Sequence, residues 1–131
     1  MFLLDTDTCI YALKQDRDVL GQLLSKTRDE VFVSVITEGE LRTGAAKSSS
    51  PAKTLRLVEN FLRPLTILEF TTQDAIAYAQ VRARLERAGT PIGPLDTLIA
   101  SQAVARQLTL VSNNEREFRR VSGLHLENWM R

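Results

Sequence analysis

Short apolar runs alternate along this chain with longer stretches in which apolar residues recur every three or four positions. The short runs predict strands at residues 2–5, 31–35, 66–70 and 108–112, with a weaker fifth at 124–127. The longer stretches predict helices at residues 8–14, 18–25, 37–47, 51–63, 72–88 and 95–107. Strands that alternate with helices favour an α/β sandwich of three layers, with a mostly parallel central sheet of four to five strands.

Composition is that of a globular protein. The 131 residues are 44% hydrophobic and 25% charged, which excludes a disordered or low-complexity chain. No internal repeat and no long linker divides the sequence, so we expect a single domain over residues 1–131. The formal net charge is only +1, so a nucleic-acid partner would have to be bound by a local basic patch.

Cysteine content and hydropathy both bear on the compartment. Cys9 is the only cysteine, which excludes an intramolecular disulfide and fits a reducing environment. The first residues do not form a signal peptide, and no stretch approaches the roughly 20 apolar residues that span a bilayer. We therefore expect a cytoplasmic protein without a membrane segment.

Acidic residues are concentrated where the predicted strands end, which is where α/β sheets bind ligands. This group and its polar neighbours comprise Asp5, Asp7, Glu38, Glu40, Asp96, Asn114, Glu115 and Glu117. Carboxylates brought together repel one another, so such a cluster implies a cation. Oxygen ligands without cysteine or histidine favour Mg²⁺ or Mn²⁺ over zinc, and a carboxylate-bound Mg²⁺ suits phosphodiester hydrolysis.

Helix capping is the alternative role for these acids. Thr37 and Glu40 have the spacing of a capping box, and Asp7 is suitably placed to cap a helix. Asp96 would also be favourable in the first turn of its helix for electrostatic reasons alone. Asp5 is the exception, because an acid that ends an apolar strand has less to do structurally.

Two further patterns bear on which residues belong to the site. Glu38 and Glu40 are two positions apart and face different sides of a helix, so only one of them can enter the site. Two arginine groups flank the acidic segments and form either a phosphate-binding patch or ordinary solvated helix faces. They are Arg82, Arg84 and Arg87, and Arg116, Arg119 and Arg120. The sequence lacks GxxxxGK[ST], GxGxxG and a serine nucleophile elbow.

Four segments, taken together, resemble the PIN-domain ribonucleases and, more narrowly, the VapC toxins of bacterial VapBC toxin–antitoxin modules. They read FLLDTDTCIY at 2–11, SVITEGEL at 34–41, GTPIGPLDTLIA at 89–100 and LVSNNEREF at 110–118. A fifth segment, GLHLENW at 123–129, has the family's ending. The resemblance covers essentially the whole chain in the expected order.

The resemblance implies a PIN-like fold and a Mg²⁺-dependent endoribonuclease in which Mn²⁺ can substitute. Asp5 and Asp96 would bind the metal, and Glu40 would complete the catalytic acids by positioning or deprotonating the attacking water. In-line hydrolysis would leave a 5′-phosphate and a 3′-hydroxyl. Glu38 would be a bystander.

The accessory positions depart from the family pattern. Asn114 stands where many members have aspartate, and Asp7 stands where many have asparagine. Glu117 is a possible outer-sphere acid, and Ser112 offers a hydroxyl where threonine is common.

The resemblance also implies partners. A cognate VapB antitoxin would insert a segment with a basic residue among the acids, and the toxin would form homodimers and a larger hetero-oligomer with its antitoxin. The RNA substrate of similar relatives is the anticodon stem-loop of initiator tRNA.

Two other functions remain open. A PIN-like module that has lost catalysis and only binds RNA or antitoxin would explain the departures at Asn114 and Asp7. A phospho-receiver domain has similar length and paired acids, but it needs a lysine at the end of a late strand, and no lysine follows Lys53.

Overall fold

A five-stranded parallel sheet forms the centre of the computed structural model, which describes residues 1–130. Its strands lie in the order β3-β2-β1-β4-β5, and every neighbouring pair is parallel. The strands are β1 (Phe2–Leu4), β2 (Val31–Ser34), β3 (Thr66–Leu68), β4 (Thr109–Val111) and β5 (His125–Glu127). The predicted fold class is confirmed, including the weaker fifth strand.

Seven α-helices connect and cover the strands. They are α1 (Thr6–Leu13), α2 (Arg17–Leu24), α3 (Val35–Ala46), α4 (Pro51–Leu62), α5 (Thr72–Arg87), α6 (Pro94–Arg106) and α7 (Glu115–Phe118). The sequence patterns predicted the first six but not α7 or the 3₁₀ turn at Arg28–Glu30. Both contain only one turn of helix, which is too short to produce a detectable periodicity.

Helices α1 and α3 each begin two residues earlier than predicted, because they follow a strand without an intervening loop. Asp5 is the N-cap of α1 and Ser34 is the N-cap of α3. Val35, predicted as a strand residue, is instead the first residue of α3 and is 37% exposed. Strand and helix thus meet directly at the edge where the acids are concentrated.

Two apolar cores lie on opposite faces of the sheet. Helices α1 to α4 pack on one face, where Leu4 and Val33 are fully buried. Helices α5 to α7 pack on the other, around Leu3 and Ile99. Alternate residues of one strand thus enter different cores, as the period of two requires.

Cys9, Trp129 and His125 occupy different environments in the fold. Cys9 is fully buried in the first core. Trp129 is 2% exposed and packs its ring 5.5 Å from that of Phe2, while His125 is exposed on the last strand. Within residues 1–130, every helix is too short or too polar to cross a membrane.

The register of the sheet determines where the acids meet. Leu4 pairs with Val33 of β2 and with Val111 of β4, so β1 and β4 end at the same level and β2 ends one residue later. The Asp5 amide then donates to the Val111 carbonyl at 3.0 Å. Asp5, the start of α3 and Ser112 are therefore adjacent at the carboxyl edge of the sheet.

Candidate active site

Asp5 lies at the centre of the candidate site and is only 3% exposed. Its Oδ1 accepts the Thr8 amide at 2.8 Å, and its carboxylate also contacts the Ser112 hydroxyl. Burial raises the pKa of Asp5 despite these hydrogen bonds. The expectation that Asp5 has little structural work is wrong, since it caps α1 as well as facing the site.

Glu40 projects from α3 toward the start of α1. The Thr6 hydroxyl donates to Glu40 Oε1 at 2.6 Å, and the Thr6 and Thr37 hydroxyl oxygens are 3.0 Å apart. The capping box predicted for Thr37 and Glu40 is therefore wrong. Ser34 caps the helix instead, by accepting the Ile36 amide at 3.0 Å.

Glu38 and Glu40 face different sides of α3, as predicted. Glu38 pairs with Arg42 at 2.9 Å on the exposed side of the helix. Glu40 is the one that approaches the other acids, and its negative charge raises the pKa of Asp96. This geometry makes Glu38 a natural control position for Glu40.

Asp96 lies in the first turn of α6 and is partly buried. Burial is the main cause that raises the pKa of its carboxyl to about 6, followed by the negative charges of Glu117 and Asp5. Glu40 and Asp7 act in the same direction. We call Asp5, Glu40, Asp96 and Glu117 the acidic centre.

Glu117 is positioned by the short helix α7. The Asn114 side-chain amide donates to Glu117 Oε2, and the Asn114 backbone amide donates to the Ser112 hydroxyl at 2.9 Å. The resemblance noted above gives many family members an aspartate at this position. Asn114 has no carboxylate and instead donates a hydrogen bond to the carboxylate of Glu117. The Ser112 hydroxyl lies within the site, as the sequence suggested.

Asp7 is exposed in the first turn of α1 and does not cap it. The capping role considered for Asp7 is wrong, because Asp5 occupies that position. Its charge nevertheless acts on the site, since it raises the pKa of both Asp5 and Asp96.

The donor set fits a hard divalent cation. It contains carboxylate and hydroxyl oxygens, and the mutual repulsion that raises the pKa of Asp96 would be relieved by a bound positive charge. Within residues 1–130, no three acidic, histidine or cysteine side chains are arranged so that they could hold an ion by themselves. Mg²⁺ suits this arrangement, because it is usually held by one or two carboxylates and several waters.

The six predicted arginines fall into three groups. Arg82 pairs with Glu86 at 2.8 Å and Arg119 pairs with Glu115 at 3.0 Å, which agrees with the ordinary helix-face alternative. Arg120 donates to the Pro91 carbonyl at 3.0 Å. The remaining three, all exposed, are Arg84, Arg87 and Arg116.

Sequence reasoning identified Ser112 but missed the threonine hydroxyls around the acids. Thr6 contacts Glu40, and Thr8 is buried with its hydroxyl donating to the Val111 carbonyl at 3.1 Å. Thr37, assigned to a cap, is fully buried beside Thr6. The available signal was the run Asp5-Thr6-Asp7-Thr8, in which each acid is followed by a threonine.

The sequence matches the PIN domain family over residues 2–124. It is 42% identical over 128 residues to the tRNA(fMet)-specific endonuclease VapC of Salmonella typhimurium (strain LT2), an alignment that covers 98% of this chain and 97% of that protein.

Two crystal structures are similar over nearly the whole chain. One is DNA-bound VapBC from Salmonella typhimurium, with a TM-score of 0.94, 43% identity and coverage of 98% of this chain and 97% of that one. The other is VapBC2 from Rickettsia felis bound to a DNA fragment from their promoter, with a TM-score of 0.93, 35% identity and 98% coverage of both chains. The resemblance noted in the sequence is thereby confirmed.

Proposed function

The chain belongs to the PIN-domain family and within it to the VapC toxins, and on that basis we propose that it is the metal-dependent endoribonuclease of a toxin–antitoxin pair. One observation carries the catalytic part of this proposal. Asp5, Glu40 and Asp96 come from three separate elements, and the negative charges of Asp5 and Glu40 both raise the pKa of Asp96 at the carboxyl edge of the sheet.

Each of the three acids has its own role in the proposed mechanism. Asp5 and Asp96 would hold Mg²⁺, or Mn²⁺ in its place, and Glu40 would orient the attacking water and accept its proton. When bound, the metal supplies Lewis-acid activation of the phosphodiester and stabilises the leaving oxyanion. Asn114 donates a hydrogen bond to Glu117, and the negative charge of Glu117 acts on Asp96. Glu117 thus adds a further carboxylate to the proposed site.

The proposed substrate is tRNA, at the anticodon stem-loop of the initiator species. The Salmonella relative named as a tRNA(fMet)-specific endonuclease supports this choice. Action on tRNA implies a protein of the cytoplasm, where the single cysteine would remain reduced.

A cognate antitoxin completes the proposal. The acidic centre would bind an arginine or lysine of the antitoxin, because charge-assisted hydrogen bonds to carboxylates are strong. Metal and antitoxin would then compete for the same oxygens. We also propose that the toxin forms a homodimer that assembles with its antitoxin, and the solved VapBC complexes support an assembly of this kind.

The test is cleavage of total bacterial tRNA by the purified chain, free of antitoxin, in Mg²⁺, Mn²⁺ or EDTA. Glu40→Gln is the catalytic variant, and Glu38→Gln is its matched control on the same helix. We expect discrete, metal-dependent cuts with wild type and Glu38→Gln, and a loss of rate of at least about 100-fold with Glu40→Gln.

Two results would contradict the proposal. Equal cleavage by Glu40→Gln and Glu38→Gln would remove Glu40 from the mechanism. Intact tRNA, mRNA and rRNA in every lane, with folded and metal-loaded protein, would favour a binding module without catalysis.

A further inference from the structure

A small cavity outside the acidic centre lies between α5 and the residues that follow α7. Its volume is about 80 Å³. Gln80 and Arg84 line it from α5, and Arg120 and Ser122 line it from the opposite side. The buried apolar residues Leu85 and Val121 close its inner wall. Two cationic and two neutral polar side chains thus border one small space.

Arg84 and Arg120 differ from nearby arginines in whether a carboxylate pairs with the guanidinium group. Arg82, two positions from Arg84, pairs with Glu86, and Arg119 pairs with Glu115. Within residues 1–130, neither Arg84 nor Arg120 forms an ion pair with a carboxylate. The structure therefore brings together one uncompensated arginine from each of the two predicted basic groups.

The cavity is connected to the acidic centre through a short loop. Arg120 donates to the Pro91 carbonyl at 3.0 Å, and Pro91 lies three residues before the start of α6. Asp96 lies in the first turn of that helix. Residues 91–96 therefore join the cavity directly to a proposed metal ligand.

We propose that the Arg84–Arg120 cavity binds a backbone phosphate of the RNA substrate, away from the bond that is cut at the acidic centre. Guanidinium groups pair with phosphate oxygens through two parallel hydrogen bonds, and Gln80 and Ser122 add neutral donors. The need for such a site is electrostatic, because the net charge is only +1 and the acidic centre repels RNA. The inference rests on the proposed ribonuclease function.

The experiment compares Arg84→Gln and Arg120→Gln with Arg82→Gln and Arg119→Gln. Each change removes one positive charge, so any long-range effect of net charge is common to all four. The readouts are kcat and KM for tRNA cleavage, and the Kd for uncleaved tRNA in EDTA at several salt concentrations. Thermal unfolding identifies any variant that does not fold, and Arg84→Lys then replaces Arg84→Gln.

We expect Arg84→Gln and Arg120→Gln to raise KM and Kd by about tenfold with kcat changed by less than about twofold. The slope of log Kd against log salt should fall by about 0.7 to 0.9 for each RNA phosphate that a variant no longer neutralises. Arg82→Gln and Arg119→Gln should stay within about twofold of wild type. Arg84→Lys should be intermediate, because it keeps the charge but not the planar fork of donors.

Equal effects in all four variants would overturn the inference while leaving the ribonuclease intact, because only net charge would then matter. A fall in kcat without a change in Kd would also overturn it. Wild-type protein that neither binds nor cuts RNA would overturn the proposed function itself, and this inference with it.

Discussion

The Thr6 hydroxyl donates to Glu40 Oε1 at 2.6 Å, which joins the first turn of α1 to the side of α3 that faces the acidic centre. Because Thr6 has one hydroxyl hydrogen and gives it to Glu40, Thr37 must be the donor in the 3.0 Å contact between the two hydroxyls. Thr37 is fully buried, so this chain of hydroxyls is anchored in the protein interior. Thr6 is therefore a positioning residue for Glu40.

The first prediction concerns Thr6. Thr6→Val removes a hydrogen bond to a charged group, which is worth about 1.5–3 kcal/mol, and should lower kcat roughly 10- to 100-fold. Thr6→Ser keeps the hydroxyl and should restore kcat to within about threefold of wild type. The measurement is steady-state cleavage of tRNA, with KM expected to change little. Wild-type kcat in Thr6→Val would show that Glu40 needs no such support.

The second prediction concerns the pH dependence of stability without metal. The pKa of Asp96 rises from 3.8 to about 6 on folding, so the folded state favours the protonated form. Its stabilising contribution is complete below about pH 4 and is lost as the pH rises through 6. Asp96→Asn should therefore increase the free energy of unfolding by about 1 kcal/mol at pH 8, after allowance for partial exposure and the favourable helix dipole.

Urea unfolding in EDTA measures this effect. At pH 4 the wild type and Asp96→Asn should have nearly the same free energy of unfolding, and the difference should appear between pH 4 and 8. Asp18→Asn, which changes an acid in the first turn of α2 that is distant from the site in sequence, is the control. Equal effects of pH on all three proteins would contradict the burial and charge repulsion described for Asp96.

The third prediction concerns metal binding without catalysis. Mg²⁺ or Mn²⁺ should raise the thermal midpoint of wild-type protein at pH 8, because a ligand that binds only the folded state stabilises it. Asp5→Asn and Asp96→Asn should lose most of this shift, and Glu38→Gln should keep it. A shift of the same size in all four proteins would place the ion elsewhere on the molecule.

The fourth prediction concerns an ion pair, away from the site, between a buried carboxylate and a solvent-exposed arginine. Asp74 is 1% exposed and accepts hydrogen bonds from Arg106 at 3.0 Å and Gln102 at 3.2 Å. Burial opposes its ionisation, but Arg106 and the Thr71 amide outweigh burial and hold the pKa of Asp74 below its ordinary value. The pair thus fastens the start of α5 to the end of α6.

Asp74→Ala should lower the free energy of unfolding by about 2 kcal/mol, because it removes the capping-box bond to the Thr71 amide and the charge-assisted hydrogen bonds from Arg106 and Gln102. Glu86→Ala breaks only the exposed pair with Arg82 and should change the free energy of unfolding much less than Asp74→Ala does. Urea unfolding at pH 7 measures both. A cost below about 1 kcal/mol for Asp74→Ala would show that water takes the place of the missing carboxylate.

The sequence patterns predicted most of the fold, because each strand and long helix carries its own periodicity. The order of the five strands did not follow from these patterns, since it depends on pairing between distant segments such as Leu4 with Val33 and Val111. Helix α7 was missed for a related reason. Its single turn is defined by the packing and hydrogen bonds of Asn114 and Phe118 rather than by a repeating pattern.

The sequence located the acids of the candidate site better than their hydrogen-bond partners, and the roles proposed for these acids stay a prediction. Asp5, Glu40 and Asp96 were identified from strand ends and family resemblance, and the structure places them together. The hydrogen-bond partner of Glu40 was predicted incorrectly, because the capping-box spacing within α3 pairs Glu40 with Thr37. The tertiary contact with Thr6, which is 34 positions from Glu40, could not be seen in a local pattern.

The central position of β1 has a consequence for synthesis of the protein. The Thr8 hydroxyl meets the Val111 carbonyl across 103 positions of sequence, and β1 pairs on both sides with strands made later. Asp5 leaves the ribosome early, yet Asp96, Ser112 and Glu117 all belong to the last third of the chain. A nascent chain therefore carries no assembled acidic centre until translation is nearly complete, so the proposed RNA cleavage cannot begin on a half-made chain.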